Sequence, residues 1–346
     1  MTPERVLVTG AGGFIGHHLV VSLKRHGAWV RGVDLHPPEF APTAADEFTC
    51  LDLRRWPQCL DATAGVDTVY ALAADMGGMG FISTQQAAIL HNNLLINTHT
   101  LEAARQYGVR RYFFSSSACV YPVYRQEESD APPLREADAF PAQPDDAYGW
   151  EKLTTEQLCL RYRDDHGMDV RIARLHNVFG PLGTWCGGRE KAPAALCRKV
   201  ALAKLTGDPE IEIWGDGRQT RSFLYIDDCI AGIHRVMQAD VREAINLGHG
   251  RAIAITELVD LIADIAGVRV VKRFVEGPQG VRGRNCDGTR MRDLCSWEPR
   301  VSLEEGLAHT YAWIEARVRA QLVATACVPS CTVPTPGSLS PLDPTA

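Results

Sequence analysis

Tyr148 and Lys152 stand four residues apart, a spacing that puts both side chains on one face if the segment is helical. A free phenol, with a pKa near 10, is a poor base at neutral pH. A neighbouring ammonium favours the phenolate, and a drop of about three units takes roughly 4 kcal/mol of differential stabilisation. Such a phenolate takes the proton of an alcohol while the carbon gives hydride to an acceptor held elsewhere. Ser117, last in the run Ser115-Ser116-Ser117, offers a hydroxyl to the same oxygen, and Cys119 adds a thiol two residues on. A Tyr-x-x-x-Lys spacing alone is more often a solvated helix face. Its meaning depends on whether the chain also supplies the hydride acceptor.

The N-terminal region supplies one. Arg5-Val6-Leu7-Val8-Thr9 reads as a strand and leads into Gly10-Ala11-Gly12-Gly13-Phe14-Ile15-Gly16. A periodic segment follows to His26, then a strand from Trp29 to Val33 that ends at Asp34. Gly10, Gly13 and Gly16 permit a tight turn, close approach of backbone amides at Phe14 and Ile15 to a pyrophosphate, and close helix–strand packing. Asp34 is placed to accept hydrogen bonds from an adenosine ribose and to repel a 2′-phosphate, which favours NAD over NADP. The positive nicotinamide ring of NAD⁺ then joins the Lys152 ammonium in stabilising the phenolate. A plain glycine turn of an α/β protein is the alternative; the order strand, turn, helix, strand, acid argues against it.

Phe48–Leu53 and Thr68–Ala73 are the next expected strands. Asp52 and Leu53 end the first and Ala73 the second, all on the cofactor side. Asp52 suits an adenine amino group or is a plain turn carboxylate. Asp75-Met76-Gly77-Gly78-Met79-Gly80 is too glycine-rich for a helix and is either a ligand loop at a strand end or a connector. Ser83-Thr84-Gln85-Gln86 reads as a capping box for a helix to about Tyr107. Tyr112–Phe114 then delivers the chain to the serine run. After Lys152 the helical pattern continues to about His166, and Val170–Leu175 is a strand. From His176 on, a break at Asn177–Pro181 and polar glycine-spaced segments carry Arg and Lys between short helices, as expected of a substrate domain. Ser302-Leu303-Glu304-Glu305 caps a last helix with Leu307, Tyr311 and Ile314 on one face.

The chain of 346 residues, 45% hydrophobic, can bury a large core. A formal charge of −6 argues against nucleic acid or an anionic membrane as main partner. No apolar run has the length to span a bilayer, and the first residues lack a signal-peptide pattern. The eleven cysteines are scattered without a C-x-x-C pair, which suggests free thiols in the cytoplasm and no metal site. The expected organisation is a doubly wound parallel sheet of Rossmann type over 1–175, with later segments returning to it. A smaller mixed α/β domain over 176–322 and a disordered proline-rich tail over 323–346 complete it.

The glycine turn, the Ser117/Tyr148/Lys152 set and the polar C-terminal half resemble the extended short-chain dehydrogenase/reductases that act on nucleotide sugars. Within that group the similarity is densest to the GDP-mannose 3,5-epimerases. It lies in Ala73–Ile82, Ser116–Pro122, Pro144–Lys152, Gly187–Ala195, Trp214–Phe223 and Gly277–Asn285, and covers about Arg5 to Ala320. The resemblance implies a tightly bound, recycled NAD, GDP-mannose as substrate, and transient oxidation at C4 that acidifies the protons on C3 and C5. Cys119 and Lys191 are implied as the acid/base pair on the two ring faces. Asn177, Lys199, Gln219, Arg221 and Arg284 are implied at the nucleotide or diphosphate, and Gly77, Glu190 and Ala192 near the sugar. A homodimer is implied through the helices after Ser83 and from Gly149. GDP-L-galactose and GDP-L-gulose are both open as products. A 4-epimerase or 4,6-dehydratase is the sibling alternative, opposed by Cys119 and the Met76–Gly80 loop. A non-catalytic NAD sensor is the remote one. Ala71 departs from the Asn or His often found at that strand end, and Trp150 and Cys186 have no assigned role.

Overall fold

The computed structural model describes residues 3–326. Its first half is a row of apolar strands alternating with helices. In chain order these are β1 (Arg5–Thr9), α1 (Phe14–Arg25), β2 (Trp29–Asp34), β3 (Glu47–Cys50), α2 (Trp56–Thr63), β4 (Thr68–Ala71), α3 (Met79–Thr84) and α4 (Gln86–Gln106). β5 (Arg111–Ser117), α5 (Ala147–His166) and β6 (Asp169–Leu175) follow. The second half holds β7 (Val178–Phe179), α6 (Ala192–Thr206), β8 (Glu210–Trp214), β9 (Thr220–Ser222), β10 (Leu224–Tyr225), α7 (Ile226–Gln238) and β11 (Ile245–Leu247).

Seven strands pair in the order β11-β6-β5-β4-β1-β2-β3, every pair parallel. A parallel sheet is buried on both faces, so its strands are continuously apolar rather than alternating; β4 and most of β1 and β6 are fully buried. Leu19, Val20 and Leu23 of α1 and Ile230, Ile233 and Val236 of α7 cover one face. Leu101 and Ala104 of α4, Cys159 of α5 and Cys59 of α2 cover the other. The strand order reverses between β1 and β4, which opens the crevice where doubly wound sheets take their ligands. β11 returns from the second half to extend the sheet. α6 packs on the last helix, Leu303–Ala326, and on Ile255–Ala266. Ser302 caps that last helix through Glu305 N at 3.1 Å.

The sequence boundaries shift in several places. β3 ends at Cys50 and β4 at Ala71, because the chain turns away toward the crevice; β5 runs on through the serines, which pair fully with β6. α3 starts at Met79 inside the glycine-rich loop. The expected capping box is absent: Gln85 is the N-cap of α4 with no side-chain bond, while Ser83 and Thr84 return their hydroxyls to Gly80 O at 3.3 and 3.0 Å. The last helix continues to Ala326, so 323–326 are helical; the rest of the expected tail, with Cys327 and Cys331, lies outside the described residues. The nine described cysteines are free thiols. Among the described residues no helix is long and apolar enough to cross a membrane.

Candidate active site

One glycine sets the distance between the two halves of the central stretch. Asp146 caps α5, accepting from Gly149 N at 2.7 Å. A Cβ on Gly149 would lie 2.2 Å from Cys119 O and 2.8 Å from Pro144 Cβ, so no larger residue lets α5 press on the single 3-10 turn Ala118–Val120. Tyr148 and Cys119 thereby share one cluster with Ile82 and Ile89. Ser117 Oγ accepts from Cys119 N at 3.2 Å and hydrogen-bonds the Tyr148 phenol. Ser116 instead gives its hydroxyl to Glu156, whose carboxylate also grips the buried Arg174 at 2.9 and 2.7 Å. Ser116 therefore serves the frame, and Ser117 the site.

Lys152 is 2% exposed, with its Nζ 5.4 Å from the Tyr148 ring and 4.8 Å from the Phe114 ring. Tyr148 and Lys152 share the expected face. Tyr148 is held well above the usual tyrosine range, first by burial and then by the negative charge of Glu151, with Cys119 and Asp146 adding to it and Ser117 opposing. Glu151 is also the counter-ion of the lysine: its Oε1 sits 3.6 Å from Lys152 Nζ.

Above this pair opens a cavity of about 330 Å³ at the carboxyl ends of β5 and β6. Gly77, Ser117, Cys119, Asn177, Glu190, Lys191, Ala192, Lys199, Gln219, Arg221 and Arg284 all line it. Tyr148 lies behind the Ser117–Cys119 wall. Lys191 precedes α6 as its N-cap without a side-chain capping bond, and its ammonium makes no hydrogen bond or ion pair among the described residues. Desolvation lowers its pKa, partly offset by Cys119 and Cys229. Its loop is clasped to the glycine loop: Gly78 N donates to Arg189 O at 3.0 Å, and Arg189 pairs with Asp75 at 3.3 Å and covers the Phe81 ring at 3.8 Å.

Arg284 donates to Cys119 Sγ at 3.3 Å and to Gln126 Oε1 at 2.5 Å, so it reaches the thiol as well as the cavity. Arg221 is held by the carbonyls of Thr220, Gln279 and Val281. Burial and the nearby Arg284 cation both oppose its charge, a stress that an anionic ligand relieves. Gln219 Oε1 is buried without a partner among the described residues. Asn177 adopts φ +33, an uncommon conformation that asparagine tolerates, and donates to Ser222 O at 2.9 Å. Lys199 donates to Glu212 O at 2.7 Å. Glu190 lines the cavity with its carboxylate engaged by Gly188 N at 2.6 Å and Arg198 at 3.0 Å.

At the β1–β4 crevice the residues fit a dinucleotide. A Cβ on Gly16 would lie 2.0 Å from Gly10 O, which brings α1 against the turn. Gly13 caps α1 without a side chain, leaving the first-turn amides at Phe14 and Ile15 free for a phosphate. Ala73 N is fixed at the rim by Thr9 Oγ1 at 3.2 Å. Asp34 accepts from Gly12 N at 3.0 Å and Leu35 N at 2.6 Å, which keeps a carboxylate at the end of β2. Asp52 lies past its strand with its carboxylate held by Arg54 at 2.8 and 2.9 Å, the geometry of the turn alternative. The Leu53 side chain is in the core.

The sequence profile of the family described as NAD dependent epimerase/dehydratase matches residues 6–248. The chain belongs to this family. It is 45% identical over 316 residues to the GDP-mannose 3,5-epimerase of Arabidopsis thaliana, covering 91% of this chain and 83% of that one. It is 28% identical to the GDP-L-fucose synthase of Escherichia coli, over 90% and 97% of the two chains. Among solved structures, the UDP-glucose 4-epimerase of Thermotoga maritima superposes with a TM-score of 0.81 at 25% identity, covering 91% of this chain and all of that one. As a member of the NAD-dependent epimerase/dehydratase family, the chain is an enzyme that uses NAD, and the crevice at β1–β4 is where its glycine turn fits that cofactor. Three features of the site escaped the sequence reading: Trp214 on the cavity wall, Asp145 beside it, and the Glu151 carboxylate with its partners on α4. Trp214 stood within a segment quoted for its resemblance, and its bulk beside Gln219 was the available signal.

Proposed function

We propose that the protein epimerises GDP-α-D-mannose at C5, and at C3 as well, through a C4 ketone that never leaves the site. The observation that carries this reading is that Cys119 and Lys191, a thiol and an unpaired amine, line one cavity whose wall is backed by Ser117 and Tyr148. NAD, held by the amides of Phe14 and Ile15 and by the Asp34 carboxylate, would supply a reversible hydride acceptor for C4. Tyr148 takes the C4 hydroxyl proton during oxidation and gives it back during reduction. Between those steps the protons on C3 and C5 are α to a carbonyl. One of Cys119 and Lys191 removes such a proton and the other delivers one to the opposite face, which inverts the carbon. The negative charge that develops on the C4 oxygen is met by the Tyr148 and Ser117 hydroxyls.

Arg221 and Arg284 suit a diphosphate, since guanidinium groups bind phosphate oxygens in pairs, and the N-terminus of α6 adds its dipole. Gln219 offers an unmatched acceptor to a base, and Trp214 offers a face for it. In this reading residues up to 175, with α7 and β11, carry the cofactor, and the remaining elements carry the nucleotide sugar. The nine free thiols among the described residues fit a reducing cytoplasm. Incubation with GDP-mannose in D₂O tests the reaction: proton NMR is expected to show deuterium at C5 and C3. Exchange at neither carbon by an NAD-loaded preparation overturns the reading.

We also propose a homodimer through the outer faces of α4 and α5. There Trp150 is 44% exposed, with Thr154 and Gln157 on its helix and Ala87, Ala88 and His91 on the neighbour. An exposed tryptophan on a helix face fits an interface, where aromatic side chains are enriched. Sedimentation is expected to return twice the chain mass; a monomer at micromolar concentration removes the proposal.

A further inference from the structure

Residues adjacent in a helix point roughly 100° apart and do not face each other. Glu151 and Lys152 break that expectation, with the ammonium 3.6 Å from the carboxylate. Both are buried, at 0% and 2% exposure. The Glu151 carboxylate is built in from the neighbouring helix: Asn93 Nδ2 donates to Oε1 and Asn97 Nδ2 to Oε2, each at 3.0 Å. Asn93 in turn ties this cluster to the glycine loop, donating to Asp75 O at 3.2 Å and accepting from Asp75 N at 2.6 Å. A buried ion pair is seldom retained for stability, because desolvation offsets the attraction. A carboxylate placed against the one ammonium that serves Tyr148 has a chemical consequence.

We propose that Glu151 is a positioning residue: it fixes the Lys152 ammonium beside Tyr148 and balances its charge, so that the charge of the nicotinamide decides whether Tyr148 carries its proton. This rests on the reading of Tyr148 as the proton carrier at C4. The groups facing its phenol are Glu151, Lys152 and Asp146 from its own helix region, Cys119 and Ser117 from the turn after β5, and apolar Ile82 and Ile89 from α3 and α4. With Lys152 balanced, the cationic nicotinamide is the net positive charge available to a phenolate, and its loss on reduction returns the balance to the phenol. Tyr148 then stays protonated through the ketone stage, where it must donate to the C4 oxygen during each inversion and hold a proton for the return hydride. An enzyme that releases its reduced cofactor has no use for that arrangement; one that recycles it does. The raised proton affinity of Tyr148, with Glu151 as its largest charged cause, agrees with the geometry.

The test is Glu151→Gln in the NAD-loaded enzyme, read by NMR of isotope-labelled tyrosine ring carbons, with the Tyr148 resonance assigned by its loss in Tyr148→Phe. Removing the carboxylate is expected to lower the Tyr148 titration by about one pH unit or more and to move the acidic limb of the pH–rate profile the same way. Glu151→Asp, which keeps the charge, is expected to restore most of the shift. If Glu151→Gln does not fold, Asn97→Ala removes one donor from the carboxylate and is expected to shift the titration in the same direction by less. An unmoved Tyr148 titration in a folded variant overturns the proposal. Full deuterium exchange by Tyr148→Phe would instead overturn the reading of Tyr148 itself, so the two failures are distinct.

Discussion

Cys119→Ala is expected to slow deuterium entry with inversion at C5 and C3 by about 10²-fold or more, while the bound NAD is retained. Among the described residues the thiol has no hydrogen-bond partner apart from Arg284, and that guanidinium keeps its second anchor on Gln126 when the sulfur goes. The turn that carries residue 119 is held by its backbone, through Cys119 N to Ser117 Oγ and the contact of Cys119 O with Gly149. Truncation therefore removes a proton carrier from the cavity wall without moving Tyr148. Cys119→Ser separates chemistry from shape: it restores the size and a hydrogen bond to Arg284, yet a hydroxyl is not a base at neutral pH, so exchange stays lost. The measurement is site-resolved proton NMR in D₂O beside the nicotinamide content of the purified protein. Loss of NAD in Cys119→Ala would make the cysteine a structural residue and remove the acid/base assignment.

Much of this was legible in the chain because the information is local. The glycine turn, Asp34 and the apolar strands follow from runs of five to ten residues, and β1, α1, β2, α5 and β6 lie where their patterns place them. The cavity residues were legible through resemblance, since their loops come together only in three dimensions. Where local reading failed, the deciding partner came from elsewhere. The Ser83–Gln86 box has the right residues, but its hydroxyls turn back to Gly80 because α3 already occupies the preceding turn. Asp52 was expected at a strand end, and the pairing of β3 with β2 stops two residues earlier.

Glu151 is the most instructive omission. In sequence it is one acid beside a lysine on a charged helix, and that spacing predicts no contact. Its burial, its capture of the ammonium and its two amide donors all depend on α4 packing against α5. The spacing of Tyr148 and Lys152 gave their common face, and it gave no sign of the carboxylate that shares the ammonium. Lysine supplies a cation held in place; it does not by itself leave the phenol primed.

Tyr148→Phe is the variant with the largest expected effect, a loss of turnover of about 10³-fold or more. The estimate combines a missing proton carrier at C4, typically 10² to 10⁴ in rate, with a missing donor to the C4 oxygen, about 10² to 10³; the two contributions are not independent and do not simply multiply. The phenyl ring fills the same cluster with Ile82 and Ile89, so folding should change by no more than about 1 kcal/mol for the lost hydrogen bond to Ser117. The pattern of loss matters more than its size. Cys119→Ala removes one of the two carriers that act after C4 is oxidised, whereas Tyr148→Phe blocks that oxidation and must silence C3 and C5 together, because neither proton is acidic until C4 is a ketone. The sign of the pH effect follows from the same chemistry: oxidation needs the phenolate, so the wild-type rate rises with pH through the Tyr148 titration, and that limb should vanish in Tyr148→Phe. Exchange at C3 or C5 that survives the substitution would mean that the ring protons are acidified by some route other than C4 oxidation at Tyr148, and the order of steps proposed for this cavity would fall.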